Sequence, residues 1–316
     1  MATLPKIGAG AYAALSPDCS LGCSSLVDSV LFQTAQVAVG AFRCPIAYPS
    51  FRDTGPIERH IVVFPRTGVW IRHAGGRPFL ADPSVVTIYN AAQRYERFPE
   101  SPDGDRCDWF GVSIQVARDI ARSFDEGAGD SEVPFRFAVA PSAASLYARQ
   151  RRLLRRVQND VVDPLEAEEE VMGIVASSLG RAYEHLASPR ARRPAAMARR
   201  RDLAEATRAE LLRTVRENRS VHDIARAVGS SPYHTCRVFH ADTGRTLHAY
   251  RGELRIRLAL ERLEHPTEGA NLSALAHDLG FSSHSHFVQA MRRHLGVTPS
   301  TIRTELLRAA PPRPAS

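Results

Sequence analysis

One short pattern occurs twice near the end of this chain, and it restricts what that region can become more than any other feature. VHDIARAVGSSPYHTCRVFHADTG (Val221 to Gly244) is echoed by LSALAHDLGFSSHSHFVQAMRRHLG (Leu272 to Gly296). Ile224, Ala225 and Val228 of the first copy correspond to Leu275, Ala276 and Leu279 of the second, 51 residues on, and Gly229 and Gly280 follow the two sets. A small alanine lets two helices approach, and a glycine permits the left-handed turn between them. The spacing predicts two helix-turn-helix units in tandem.

The second helix of each unit carries the chemistry. In the first copy Ser231 can cap free amides and Pro232 tolerates the first helical position. The helix then presents Pro232, Tyr233, His234 and Arg237 near its start, while Val238 and Phe239 supply apolar contact. In the second copy Ser282 or Ser283 takes the capping role. His284, Ser285, His286, Gln289 and Arg292 are the polar residues there, with Phe287 and Met291 turned inward. An apolar face that fixes the helix, with donors near its N-terminus, is what reading phosphates and base edges of double-stranded DNA requires. Between the copies, Thr246 to Glu264 is rich in Leu and Arg. As a helix it spans roughly 27 Å, comparable to the roughly 34 Å of one DNA turn. One chain is thus expected to read two adjacent major-groove segments of an operator, the second half being the more sensitive to pH through His284 and His286.

The rest of the chain is long enough for a second domain. Its 316 residues exceed one average domain. No run approaches 18 apolar residues and the opening residues lack a secretory pattern, so the expected location is the cytoplasm, with no membrane partner. From Pro189 onward 22 Arg face 12 Asp plus Glu, which puts the net charge of +7 in the C-terminal part and leaves the earlier part near -3. All but one of the 41 basic residues are Arg, which suits phosphate and guanine, although a GC-rich genome gives the same bias. The five cysteines, Cys19, Cys23, Cys44, Cys107 and Cys236, are odd in number and argue for reduced thiols. Cys19, Cys23, Cys44 and Cys107 do not have zinc-ribbon spacing, so no metal or cofactor is expected, and their redox role is left open.

Short strand-like segments follow from Val37: Val37 to Cys44, Arg59 to Pro65, Gly68 to His73, Ser84 to Asn90 and Cys107 to Ile114. They are rich in Val, Ile and aromatics and separated by turn clusters, which predicts an antiparallel barrel or sandwich. Ser142 to Asp160 and Pro164 to Leu186 read as two helices with apolar stripes, one face for the sheet and another for a second subunit. Residues 188–200, with two prolines and many arginines, read as a linker. The expected class is α+β. Residues 1–135 form a barrel-like domain, 136–187 a helical pair suited to dimerisation, 201–308 an all-α domain and 309–316 a tail. A fragment starting near Met197 is expected to fold and bind DNA by itself.

The duplicated element resembles the DNA-binding domain of the AraC/XylS family of bacterial transcription regulators. The residues that carry this are Ile224-Ala225, Gly229, Ser231-Pro232, Arg237 to Phe239, Thr243-Gly244, Tyr250, Leu254-Arg255, Ala259, Leu263, Leu275-Ala276, Leu279 to Ser283, Ser285 to Phe287 and Gly296 to Pro299. Thr235, Gln289 and Met291 depart from it, where a larger apolar residue, Arg and an aromatic are usual. The first domain is similar to the cupin-type sensor of many such regulators, around His60 to Arg77 and Gly104 to Phe110. The resemblance implies a regulator, an activator more than a repressor, working as a homodimer with RNA polymerase and a small-molecule effector, and not an enzyme. The rival is a cupin-type metal-dependent enzyme fused to a DNA-binding domain, with His60 and His73 as ligands. No His-x-His with a nearby Glu supports it; the one His-x-His, His284 and His286, lies on a recognition helix. Ser231 and Ser283 lack a nucleophile elbow and read as caps.

Overall fold

Four of the strands in the larger sheet place their apolar residues in register across it. The computed structural model describes residues 26–53, 55–187, 197–267, 269 and 271–308. Cys19, Cys23, most of the 188–200 stretch and the 309–316 tail lie outside the described residues. One antiparallel sheet contains β1 (Val27–Gln33), β2 (Val37–Cys44), β3 (His60–Pro65), β6 (Val85–Tyr89), β8 (Asp105–Val112) and β9 (Val139–Pro141), in the order β1-β2-β8-β3-β6-β9. A smaller one has the order β5 (Phe79–Ala81), β4 (Val69–His73), β7 (Tyr95–Pro99). In the large sheet Val39 pairs with Phe110, Phe110 with Val62 and Val62 with Ile88, a row buried to 1% or less. Its other face carries Ile61, Val63, Tyr89 and Cys107, with Phe42 and Tyr95 joining these residues to the small sheet. The two faces of the Cys107 strand are covered as its alternation predicts. Among the described residues the strands form two hydrogen-bonded sheets, an α+β arrangement with the C-terminal helices, and no strand pairing closes the barrel between them.

Strands β1, β5, β7 and β9 escaped the sequence reading. Three are short, or mix charged with apolar residues, as in YERFP (Tyr95–Pro99). VDSVLFQ of β1 is held by pairing with β2 and by an indole hydrogen bond from Trp109 Nε1 to Asp28 Oδ1 at 3.2 Å. Tertiary pairing decides such segments.

Helix α1 (Ile114–Arg122) starts at a Ser113 cap, and α2 (Ala144–Gln158) and α3 (Pro164–Ala187) follow. Asp163 Oδ1 accepts from the amides of Leu165 and Glu166 at the start of α3. Val171, Ile174, Val175 and Leu179 of α3 pack with Val37, Val62, Ile88 and Phe110 in one cluster, and Leu146, Leu153, Leu154 and Val157 of α2 belong to it. The apolar stripes of the helical pair are therefore buried inside their own chain.

The C-terminal part is α4 (Met197–Arg213), α5 (Val221–Ala227), α6 (Pro232–Thr243), α7 (Leu247–Leu263), α8 (Leu272–Asp278), α9 (His284–Leu295) and α10 (Pro299–Arg308). Helix α4 begins within the stretch read as a linker. The two parts are not separate bodies. Tyr250, Arg257, Glu261 and Glu264, on one face of α7 and its end, meet the first domain in a polar seam. The Tyr250 hydroxyl donates to Asp82 Oδ2 at 2.9 Å, and Arg257 Nη2 donates to the Ser142 carbonyl at 2.6 Å. Arg66 Nε and the Tyr147 hydroxyl donate to Glu261 Oε1 at 3.1 and 3.2 Å, and Arg151 Nε donates to Glu264 Oε1 at 2.6 Å. Arg208 of α4 is within 3.1 Å of Asp82 and donates to the Leu80 carbonyl at 3.0 Å. Glu261 and Glu264 of α7 thus lie against arginines of the first domain.

Candidate DNA-binding surface

The first unit is fixed by caps at both of its helices. Ser220 and Asp223 form a reciprocal box: Ser220 Oγ accepts from the Asp223 amide at 3.2 Å and the Ser220 amide donates to Asp223 Oδ2 at 3.1 Å. The Ser220 hydroxyl, which donates to Asp223 Oδ2 at 2.6 Å, and the Ser220 amide hold the Asp223 carboxyl below its ordinary range. After α5 the chain turns at Gly229 with φ of +65°. Ser231 Oγ then accepts from the His234 amide at 3.3 Å with Pro232 at the helix start. Thr235 is fully buried and its hydroxyl donates to the Ser231 carbonyl at 2.9 Å, which accommodates it where a larger apolar residue is usual. Val238 and Phe239 face inward, and Phe239 meets Tyr250 edge-on at 5.2 Å. Outside lie Ser231, Arg237 and Tyr233, the last 78% exposed, with His234 and Pro232 half-buried. His234 Nδ1 is 3.5 Å from Arg237 Nη2.

The second unit repeats the plan with different residues. Asn271 Oδ1 accepts from the Ser273 and Ala274 amides at 3.1 and 3.0 Å. Gly280 has φ of +80°, and a Cβ there would fall 2.2 Å from the Arg216 carbonyl oxygen. Ser283 is the cap of α9, accepting from the His286 amide at 3.1 Å, while Ser282 Oγ meets His286 Nδ1 at 3.0 Å. Phe287 and Met291 are buried, whereas Ser283, His284, Ser285, Gln289 and Arg292 are exposed. The two histidines differ: His284 is exposed, but His286 is half-buried, edge-on to Phe281 at 5.5 Å. Each set lies on one helix, the first at the start of α6 and the second along α9, with Arg292 in its last turn.

The residue that joins the two units is Arg255 on α7, which sequence reading marked only as part of a resemblance. Its Nε donates to the Val215 carbonyl at 2.7 Å, Nη1 to the Gly280 carbonyl at 2.7 Å, and Nη2 to the Glu217 carbonyl at 2.9 Å and Asn218 Oδ1 at 3.0 Å. One guanidinium thereby holds the end of α4 and the turn of the second unit on the same helix. Burial, aided by the charge of Arg251, pulls it down to about 10. An arginine between Leu254 and Ile256, both buried, was the available signal.

The first domain's candidate ligands are not gathered into a metal centre. His60 Nδ1 is 3.3 Å from Asn90 Oδ1, and His73 Nδ1 is 2.6 Å from Gln93 Nε2 among Phe79, Tyr89 and Tyr95. Burial lowers both imidazoles, His73 to about 4. Cys44 and Cys107 are buried, and burial raises both thiols. Among the described residues no group of three or more His, Cys, Asp or Glu is arranged to hold a metal.

Two capped helices with polar starts on a shared scaffold make a tandem helix-turn-helix. Residues 224–305 match the family model described as "Helix-turn-helix domain". The C-terminal part of this chain is a helix-turn-helix domain of the AraC type. No curated protein sequence matches the chain. Among solved structures it is similar to ToxT from Vibrio cholerae, at 12% identity and a TM-score of 0.33, covering 86% of this chain and 99% of that one. ToxT bound to an unsaturated fatty acid gives 11% identity, a TM-score of 0.33 and coverage of 88% and 99%. The AraC-like transcriptional activator CuxR gives 16%, 0.29, and 72% and 77%. These likenesses are too loose to carry more.

Proposed function

We propose that this chain reads two adjacent major-groove segments of an operator, with α6 in one and α9 in the other, and regulates transcription as an activator. The observation that supports this most is that both helices expose a polar N-terminal face while Arg255 ties their units to one helix. In this reading Arg237 and Tyr233 contact the first segment, with Ser231, Pro232 and His234. His284, Gln289 and Arg292 contact the second, with Ser283, Ser285 and His286. The first domain acts as the sensor, taking a small effector and conveying its state through the seam to α7, and RNA polymerase is the partner at the promoter.

Selection of bound genomic fragments in vitro, followed by footprinting, tests the reading. It expects two protected segments about one helical turn apart and tighter binding to the selected fragment than to bulk DNA at every salt concentration. Equal affinity for the two would overturn it. Transcription in vitro from the selected promoter checks the sign.

A further inference from the structure

We infer that the seam between the two domains binds a small dianion, carrying a phosphate or two carboxylates, on Arg43 and Arg106 with Arg66 beside them. Arg43 and Arg106 are cross-strand partners of β2 and β8. On the other side of β8, Pro65 pairs with Cys107, and the Arg66 amide donates to the Arg106 carbonyl at 2.7 Å, continuing the row. Three arginines therefore lie side by side across three adjacent strands, on the sheet face that also carries Asp108 and Phe110. Like charges directly opposite one another destabilise a sheet. Such a row calls for counter-charge.

The protein's own carboxylates do not supply enough of it. Asp108, Glu261 and Glu264 face this region, together with Arg151 and Arg155 of α2 and the Tyr147 hydroxyl. Arg151 takes Asp108 and both oxygens of Glu264, and Arg66 takes Glu261 and lies 3.8 Å from Asp108. Five arginines against three carboxylates leave a surplus of two charges. Among the described residues the guanidinium groups of Arg155, on the helix, and of Arg43 and Arg106, the surplus pair on the sheet, have no carboxylate partner, and Arg43 Nε and Arg155 Nε are buried without a hydrogen bond. Burial pulls Arg106 downward, and the charges of Arg66 and Arg43 add to this. Both surplus residues are half-buried, so a solute can reach them from water. Two guanidinium forks on neighbouring strands suit an oxyanion with two charges, which each fork can meet with paired donors. An ion there sits against the residues that grip Glu261 and Glu264, so its binding is coupled to the docking of α7.

Equilibrium dialysis of the full chain against labelled inorganic phosphate, and separately against succinate, at fixed ionic strength tests this. We expect one saturable ion per chain for at least one probe; the probe that binds tells a phosphoryl from a dicarboxylate ligand. In R43Q/R106Q the affinity falls roughly tenfold or more, the loss of at least one charge-assisted hydrogen bond. The same variant melts higher than the native chain in anion-free buffer. Arg43→Lys, which keeps the charge and removes the fork, gives a smaller loss and guards against misfolding of the double variant. R237Q, on the exposed start of α6, keeps the ion. No saturable binding of either probe, or binding that survives R43Q/R106Q unchanged, overturns the proposal. The measurement contains no DNA, so its failure is separate from a failure of operator recognition.

Discussion

Replacing Arg255 with methionine removes the guanidinium while retaining much of the stem. Four acceptors lose their donor. Glu217 and Asn218 lie where water can replace the lost bond, but the Val215 and Gly280 carbonyls accept from buried nitrogens. An unsatisfied buried acceptor costs about 1 to 3 kcal/mol, so two give roughly 2 to 6 kcal/mol. The contact of the guanidinium with the Phe281 ring, 5.7 Å from its centroid, is lost as well. Urea denaturation followed by far-UV circular dichroism measures the effect. Arg255→Lys reaches only one or two of the acceptors and is expected to fall between the native chain and the methionine variant. Because the bonds to Val215 and Gly280 belong to different units, Arg255→Met also loosens their spacing, so inserting one base pair between half-sites penalises it less than the native chain. A loss below about 1 kcal/mol, on a scale where surface changes stay within roughly half that, would refute the account of Arg255 as the joint.

Arg237→Ala is expected to weaken operator binding by about 1 to 3 kcal/mol if Arg237 meets a guanine; an equal drop on all sequences with a salt slope lower by about one makes it a phosphate contact, and a titration at several salt concentrations decides. Gly280→Ala and Gly229→Ala both place alanine at positive φ, costing about 1 kcal/mol or more each. Only the Gly280 variant drives its Cβ to 2.2 Å from a carbonyl, whereas nothing lies within 4 Å at Gly229, so thermal melts should show a clearly larger loss at Gly280. His73 is held neutral, with its folded value near 4 against about 6.5 in the unfolded chain. Its contribution is fully present above pH 6.5 and is lost as pH falls toward 4, by about 2 to 3 kcal/mol after allowing for partial exposure. His73→Phe should flatten the fall in stability between pH 7 and pH 5, and an unchanged pH profile would count against it.

The duplicated units were legible because each depends on local chemistry. A glycine at a positive φ, a serine one residue before a helix and an alanine between apolar residues write their structure into adjacent positions, and Gly229, Gly280, Ser231 and Ser283 all behave accordingly. The strands of the large sheet were legible where both faces are apolar, as at HIVVFP (His60–Pro65). What stayed hidden is non-local. Glu261 and Glu264 look like solvent-facing charges until the distant Arg66 and Arg151 are placed against them, and the Arg43, Arg106 and Arg66 row exists only once β2, β8 and β3 are in register. The apolar stripes of α2 and α3 announced burial without saying against what; the partner proved to be the chain's own sheet.

The composition of the seam bears on how the two domains work together. A buried ion pair recovers little net stability, because removing each charge from water costs about what the pairing returns. Arg151 between Asp108 and Glu264 is therefore better understood as fixing the register of docking than as a large source of adhesion. Separating the domains would return Glu261, Glu264, Arg257 and the Tyr250 hydroxyl to water, where all are well solvated, whereas an apolar seam of the same size would resist opening and leave α7 prone to aggregation. The fragment from Met197 puts this in measurable form. Its two units keep Arg255 and the caps, so it should remain helical and bind DNA, but removing Arg66 and Arg151 leaves Glu261 and Glu264 at the end of α7 unpaired. Its affinity should therefore depend more steeply on pH, recovering as Glu261 is protonated, than that of the full chain, in which Arg66 holds Glu261 below its ordinary range despite burial. Binding curves for the two forms at pH 5, 6 and 7 that superimpose in shape would show that the seam does not reach the DNA-reading helices.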